Sequence, residues 1–301
     1  MTNVRIIGDW GTSRLRLFRI SDGHIVARRD GPGIGTVGPG AEQALAETIE
    51  PLMTDGAPDE IALCGMIGAR DIWVEAPYAD CPAIEDDWRA AAVRFDWRGV
   101  PLSIMAGLAC VGTDRIADVM RGEETQLFGA FRLHSQLAQG RRLIVLPGTH
   151  NKWVLVEDGR ILSFRTMPTG EMFALLRDQS VLGAKDIHGD AVQQQAGFSE
   201  GLARAADGRL LASLFAARSM RLRAGRSSDW ASGYLSGLLI GCEVREAMAL
   251  LPADHDVTLI GDGRLSDLYG QALGAMGIAT RRLDGEACAL AGLGFVEMKQ
   301  S

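Results

Sequence analysis

The 301-residue chain has no surplus of positive charge: 31 Lys and Arg stand against 38 Asp and Glu, a formal net charge of −7. Non-specific binding to nucleic acid or anionic membrane depends on clustered positive charge, so neither partner is expected. Cysteine is sparse. Cys64, Cys81, Cys110, Cys242 and Cys288 are odd in number, scattered, and form no C-x-x-C pair, which excludes a disulfide framework and a Cys-based zinc site. The longest apolar stretches, around 234–242 and 287–296, are too short to cross a bilayer. The N-terminal run lacks the apolar core of a signal peptide. A soluble, reduced, cytoplasmic protein is predicted. His24, His134, His150, His188 and His255 have no metal-ligand spacing. The absence of H-E-x-x-H, G-x-S-x-G and G-x-x-x-x-G-K-[ST] removes zincins, the simplest serine hydrolases and P-loop enzymes.

What the chain does have is glycine: 37 residues, about 12% against a usual 7% or so, in no G-X-Y repeat. The remaining composition, 47% hydrophobic and 23% charged, is globular, and the length suggests two domains. Val4–Ile7 and Arg14–Ile20 read as strands around Gly8-Asp9-Trp10-Gly11-Thr12-Ser13. Asp22-Gly23 turns into a third strand at Ile25–Arg29. The pattern returns at mid-chain, with strands Leu143–Leu146, Lys152–Val156 and Arg160–Phe164 around Pro147-Gly148-Thr149-His150-Asn151 and Asp158-Gly159. The Gly-Thr to Asp-Gly spacings differ by one residue, an internal repeat that means two domains of one design. Helices are predicted over Glu42–Met53, Asp86–Arg94, Gly122–Leu137, Phe198–Ala217, Ser228–Leu251, Asp267–Met276 and Gly285–Lys299, with strands at Glu60–Leu63, Val257–Ile260 and Ala279–Leu283. Strand runs followed by helices, twice over, give an α/β bilobal architecture with its seam just after Leu137.

A glycine turn lets backbone N–H groups approach phosphate oxygens, hydroxyls add donors, and an Asp at a strand end can hold Mg²⁺. Asp9-Trp10-Gly11-Thr12-Ser13 has all of these, and Gly148-Thr149 repeats the turn. Two such hairpins across a cleft suit a bilobal ATPase. The literal G-x-G-x-x-G at Gly33–Gly38 follows a polar segment instead of a buried strand, so it is not a dinucleotide fingerprint. It is expected to be a mobile glycine-rich loop over the cleft.

These residues resemble the phosphate motifs of the actin-like ATPases, the superfamily of sugar kinases and hexokinases. Val257–Ser266 is similar to its adenosine motif; Gly122–Gly129 and Glu286–Gly292 are similar to its two connecting helices. Narrower likenesses lie at Cys64–Arg70, Trp73–Tyr78, Asp118–Gln126, Pro147–Val154 and Thr166–Leu176, which resemble the 2-dehydro-3-deoxygalactonokinase family; Asn151 and Pro168 depart from its pattern. The resemblance implies two actin-like (ribonuclease H-like) lobes with an interlobe nucleotide cleft. Residues 1–137, joined by a C-terminal helix at 285–301, would bind sugar, and 138–284 would bind adenosine. It further implies ATP and Mg²⁺, transfer to the terminal hydroxyl of a sugar acid, and no nucleic-acid or membrane partner; a homodimer is admitted. On this reading Glu123, with Glu124 beside it, is the catalytic base, and Asp9 holds Mg²⁺ or is the alternative base. Gly11, Thr12, Ser13, Gly148, Thr149, Lys152, Gly261, Asp262 and Gly263 bind ATP, while Arg70, Trp73, Glu75 and Tyr78 bind the sugar acid. Another sugar acceptor, or a non-catalytic nucleotide-binding regulator, are the alternatives.

Overall fold

The computed structural model describes residues 3–54, 56–112, 115–183, 186–251 and 256–296. His255 and the end of the expected C-terminal helix lie outside these. The chain divides into two compact units, Met1–Arg141 with Leu155–Phe164 and Asp284–Ser301, and Arg142–Val154 with Arg165–Leu283.

The first unit is built on strands β1 (Val4–Trp10), β2 (Arg14–Ser21), β3 (His24–Pro32), β4 (Glu60–Gly65), β6 (Val93–Trp97) and β7 (Val100–Ile104), with β5 (Tyr78–Asp80), β8 (Gly107–Val111) and β9 (Ala117–Met120) forming a separate three-stranded sheet. The main sheet has the order β3-β2-β1-β4-β7-β6. Its meander is antiparallel, and β4 then runs parallel to β1. Central parallel strands bury both faces and so are rich in apolar residues: Ile6, Ile7, Ile61 and Leu63 are fully buried. Helices α1 (Ile34–Val37), α2 (Ala41–Ile49), α3 (Glu85–Ala90) and α4 (Glu123–Leu133) follow in chain order.

The second sheet contains β10 (Arg141–Leu146), β11 (Asn151–Glu157), β12 (Arg160–Met167), β13 (Val257–Gly261) and β14 (Thr280–Asp284), in the order β12-β11-β10-β13-β14. Meander, then a parallel strand beside its first member: β13 joins β10 as β4 joins β1. The repeat read from two turns therefore extends to sheet order. Around this sheet are α5 (Thr169–Gln179), α6 (Ala191–Ala205), α7 (Leu210–Leu214), α8 (Ala216–Ala224), α9 (Ser228–Leu250) and α10 (Gly263–Gly274); α11 (Gly285–Gly292) belongs to the first unit.

Several boundaries differ from expectation. The helix expected over Asp86–Arg94 ends at Ala90, because Val93–Trp97 alternates shielded and exposed positions and pairs with β7. The single helix expected over Phe198–Ala217 is three, broken at the Asp207-Gly208 turn, where Gly208 has φ 65°. α5 and strands β5 and β7 to β9 were not anticipated; the strands are too short to carry a period. The Gly33–Gly38 segment is no mobile loop: Ile34 is buried and starts α1, and the Ile34 and Gly35 amides donate to the carbonyls of Gly11 and Thr12 at 3.1 and 2.9 Å.

Glycine also sets how helices cross. On α6 and α9, a Cβ added at Gly197 would lie 2.0 Å from the Trp230 carbonyl oxygen, and one at Gly237 would lie 2.0 Å from that of Phe198. On α4 and α11, Gly129 approaches the Cys288 carbonyl and Gly292 that of Thr125 equally closely. No side chain fits between these backbones, whereas Gly274 at the end of α10 has open space. Gly237→Ala is accordingly expected to cost about 1–3 kcal/mol by overpacking. Gly274→Ala should be neutral or stabilising by up to about 1 kcal/mol. Urea unfolding of the two variants measures the contrast.

Candidate active site

In the first unit, three chain segments meet at the end of β1. Asp9 faces Arg16 across the β1–β2 pair and lies beside Cys64 of β4. The Asp9 carboxylate forms an ion pair with Arg16, whose guanidinium also donates to Glu286 at 2.9 Å; Glu286 in turn accepts from Arg28 at 3.0 Å. Gly65, at φ 90°, passes so close that a Cβ would lie 2.6 Å from the Trp10 carbonyl oxygen, and Gly122, at φ 111°, packs on Gly65. The turn is tied from behind: the Trp10 indole donates to the Pro32 carbonyl at 2.9 Å, and Gly33 leaves room for nothing larger against Thr12 and Ser13. Thr12 and Ser13 are exposed and Gly11 half-buried. Asp9 is a single hard oxygen donor, and among the described residues no cluster of three or more His, Cys, Asp or Glu could hold a metal. That donor set fits Mg²⁺ supplied with its remaining ligands by phosphate and water.

Gly122 opens α4, and the two expected acids are its first residues. They differ sharply. Glu123 is half-buried, with its carboxylate accepting from the Arg121 amide at 3.2 Å. Glu124 is fully buried, and both its oxygens lie 2.8 Å from the Gly122 amide. Burial, reinforced by the neighbouring Glu123 charge, pushes the Glu124 carboxyl up to about 8. Both Asp9 and Glu124 act on the buried Cys64 thiol and push its pKa up, after burial itself.

The expected sugar-binding residues are not gathered into one cluster. Arg70 and Glu75 pair with each other at 3.5 Å in solvent. Trp73 packs edge-on against Phe95 and Trp97. Tyr78 is 40% exposed and lies 4.3 Å beneath the guanidinium of Arg121. Arg121 was not singled out from sequence. It is buried, donates to the Ala76 carbonyl at 2.8 Å, and has two side-chain nitrogens without a partner.

In the second unit a cavity of about 880 Å³ is lined by Gly148 of the second turn, Thr169 and Gly170 of α5, and Asp262, Arg264 and Tyr269 at and after the end of β13, among others. It brings the turn expected to bind phosphate and the strand end expected to bind adenosine to one surface. Asp262 caps α10 by accepting from the amides of Arg264 and Leu265 at 3.0 and 3.3 Å. Gly261 lies against Pro147, while a Cβ added at Gly263 would meet open space. The turn is buttressed from α5 as the first turn is from α1. A Cβ at Gly170 would lie 2.2 Å from the Gly148 carbonyl oxygen, and the Glu171 amide donates to the Thr149 carbonyl at 3.0 Å. Thr149 is exposed. Lys152 is buried in the sheet, with its ammonium 2.8 Å from the Thr166 hydroxyl. Asn151 accepts from the Gly148 amide at 2.6 Å and donates to Glu243 at 2.8 Å. Glu243 was missed, although a lone acid in the apolar run Leu238–Val244 is a legible signal.

The family model described as 2-keto-3-deoxy-galactonokinase matches residues 9–296. The Escherichia coli (strain K12) protein named 2-dehydro-3-deoxygalactonokinase is 33% identical over 299 residues, covering 97% of each chain. The Rhizobium meliloti (strain 1021) protein named "Probable 2-dehydro-3-deoxygalactonokinase DgoK1" is 35% identical over 290 residues, covering 95% of this chain and 94% of that one. A Sinorhizobium meliloti crystal structure carrying the same enzyme name has a TM-score of 0.83 at 33% identity over 96% of either chain. Component A of (R)-2-hydroxyglutaryl-CoA dehydratase from Acidaminococcus fermentans, at TM-score 0.52 and 13% identity over 96% of this chain and 95% of that one, shares the fold alone. With the duplicated meander and parallel strand, the architecture is α/β with two actin-like, ribonuclease H-like lobes.

The Glu124 carboxyl makes stability depend on pH in a defined direction. Its folded value, about 8, exceeds the ordinary 4.5. The folded state therefore binds the proton more tightly, and this contribution is complete below about 4.5 and lost as pH rises through about 8. Denaturant unfolding across that range should show a fall in the wild type that is reduced in Glu124→Gln. Equal slopes in both proteins would remove Glu124 as its source.

Proposed function

The chain belongs to the 2-keto-3-deoxy-galactonokinase family, and from that premise we propose that it transfers the γ-phosphoryl of ATP to the terminal 6-hydroxyl of 2-dehydro-3-deoxy-D-galactonate in galactonate catabolism. The observation that carries the reading is the single cavity shared by Gly148 and Asp262, a phosphate turn and an adenosine motif in a family of kinases. With five free cysteines, we assign the enzyme to the reducing cytoplasm.

Phosphoryl transfer asks a protein mainly for positioning and charge stabilisation, with a carboxylate to orient the acceptor hydroxyl and take its proton. Glu123 is the better candidate for that base, because Glu124 is fully buried and cannot touch substrate. The turns at Gly11-Thr12-Ser13 and Gly148-Thr149 offer amides and hydroxyls to phosphate oxygens. Asp9 is the residue to hold Mg²⁺, which when bound neutralises phosphate charge; Arg16 orients the Asp9 carboxylate. Gly261, Asp262 and Gly263 serve adenosine, whereas Lys152, expected at the phosphates, is buried in the sheet with its ammonium on the Thr166 hydroxyl.

For the sugar acid, Arg70 suits bidentate capture of a carboxylate. Its solvent-screened pair with Glu75 costs little to exchange. Tyr78 is partly exposed beneath Arg121; Trp73 contributes by holding its own segment against the core. Purified protein supplied with ATP, Mg²⁺ and 2-dehydro-3-deoxy-D-galactonate should form the 6-phosphate, detected by phosphorus NMR. Glu123→Gln should lower kcat by about 10²–10⁴-fold. Transfer to a neutral hexose but not to 2-keto-3-deoxy acids would overturn the assignment.

A further inference from the structure

Behind the wall of the cavity in the second unit is a buried polar cluster with an unusual composition. Glu243 of α9 is 4% exposed. One carboxylate oxygen accepts from the Trp153 indole at 2.7 Å; the other accepts from the Asn151 amide at 2.8 Å and the Tyr269 hydroxyl at 2.5 Å. Thr169 is a fourth hydrogen-bond partner. Asn151 also donates to the Tyr269 oxygen at 2.5 Å, so these three side chains close a ring. There is no Arg or Lys among these partners. A carboxylate is buried here on neutral donors alone, an expensive arrangement; burial pushes its pKa up while the four hydrogen bonds oppose the rise.

The partners are the wall itself. Thr169 and Tyr269 line the cavity, and Asn151 holds the amide of a third lining residue, Gly148, at 2.6 Å. We propose that Glu243 is a positioning residue that fixes the second phosphate turn through Asn151, so that binding of the nucleotide's phosphates, and not of its adenosine, depends on this carboxylate. The proposal rests on reading the Gly148 turn as a phosphate site.

Chemistry dictates which substitution is informative. Indole and amide N–H can only donate toward Glu243. The acid must therefore accept at both oxygens, and Gln at this position turns one end into a donor facing a donor. Exchanging the pair repairs the mismatch: with Glu243→Gln and Asn151→Asp together, the new amide donates to residue 151, which still accepts from Gly148.

The test is titration calorimetry of the full-length protein with ATP and, separately, adenosine, alongside KM for ATP and for the sugar acid. Glu243→Gln should weaken ATP binding and raise its KM by about tenfold or more. Adenosine affinity and the KM for the sugar acid should remain unchanged. The double variant should recover most of the ATP affinity. Tyr269→Phe, which removes one donor without creating a clash, should give a smaller shift in the same direction and serves if Glu243→Gln does not fold. Parallel loss of ATP and adenosine affinity, or no change in either, would overturn the proposal and leave the nucleotide site standing. A wild-type protein that binds no ATP would overturn the nucleotide reading first.

Discussion

Each candidate phosphate turn is held by a backbone that no side chain can enter. At the first, a Cβ on Gly33 would lie 2.2 Å from Thr12 and Ser13 backbone atoms; at the second, one on Gly170 would lie 2.2 Å from the Gly148 carbonyl oxygen. The start of α1 and the start of α5 are thereby pressed directly onto the turns and hydrogen-bonded to them. A turn that offers its amides to a ligand cannot also satisfy its shape by strand pairing, so it needs this external support. Glycine supplies it because only a residue without Cβ permits the contact. The same device recurs where α6 crosses α9 and α4 crosses α11, which is where much of the glycine excess is spent.

The two units fix their turns by opposite electrostatic means. In the first, Asp9 is held by charge: Arg16 bridges it to Glu286, and Arg28 continues the network. In the second, the turn is held by neutral donors gathered on one buried carboxylate, Glu243. The difference follows from place. The members of the Asp9 network retain some exposure, so ion pairs form without full desolvation. Glu243 lies in the core between Trp153 and Tyr269, where an ion pair must overcome the desolvation of two charges.

The duplication was legible because turn chemistry is local: Asp-Gly and Gly-Thr at matching spacing marked both meanders, and hydrophobic runs marked β1, β4, β10 and β13. Short strands such as Ala117–Met120 and the break at Gly208 were not, since four residues carry no clear period and a helix pattern continues across a glycine. The G-x-G-x-x-G segment reads as a mobile loop because its packing partner, the Gly11–Ser13 turn, lies some twenty residues upstream and meets it only in the folded chain. Arg121 carries no mark of burial in the sequence, and its partners, the Ala76 carbonyl and the Tyr78 ring, are brought to it only by folding. Glu243 stands out as a lone acid in an apolar run, but the donors that hold it come from β11, α5 and α10 and are assembled only in the folded chain.

The adjacent acids at the start of α4 gain separate roles from the same burial. Two ionised carboxylates side by side would repel, and the helix start can favour only so much negative charge. Placing Glu124 wholly in the interior, where its carboxyl titrates near 8, leaves it protonated at neutral pH. Glu123, by contrast, lies on the half-buried side. Divergent environments for a pair of carboxyls are how acid and base assignments are set in other enzymes. Here they make Glu124 the neutral anchor of the Gly122 turn, and on the proposed reading the proton of the acceptor hydroxyl falls to Glu123. Glu124 thus matters by being uncharged: a substitution that kept it neutral should spare the chemistry that a substitution at Glu123 removes.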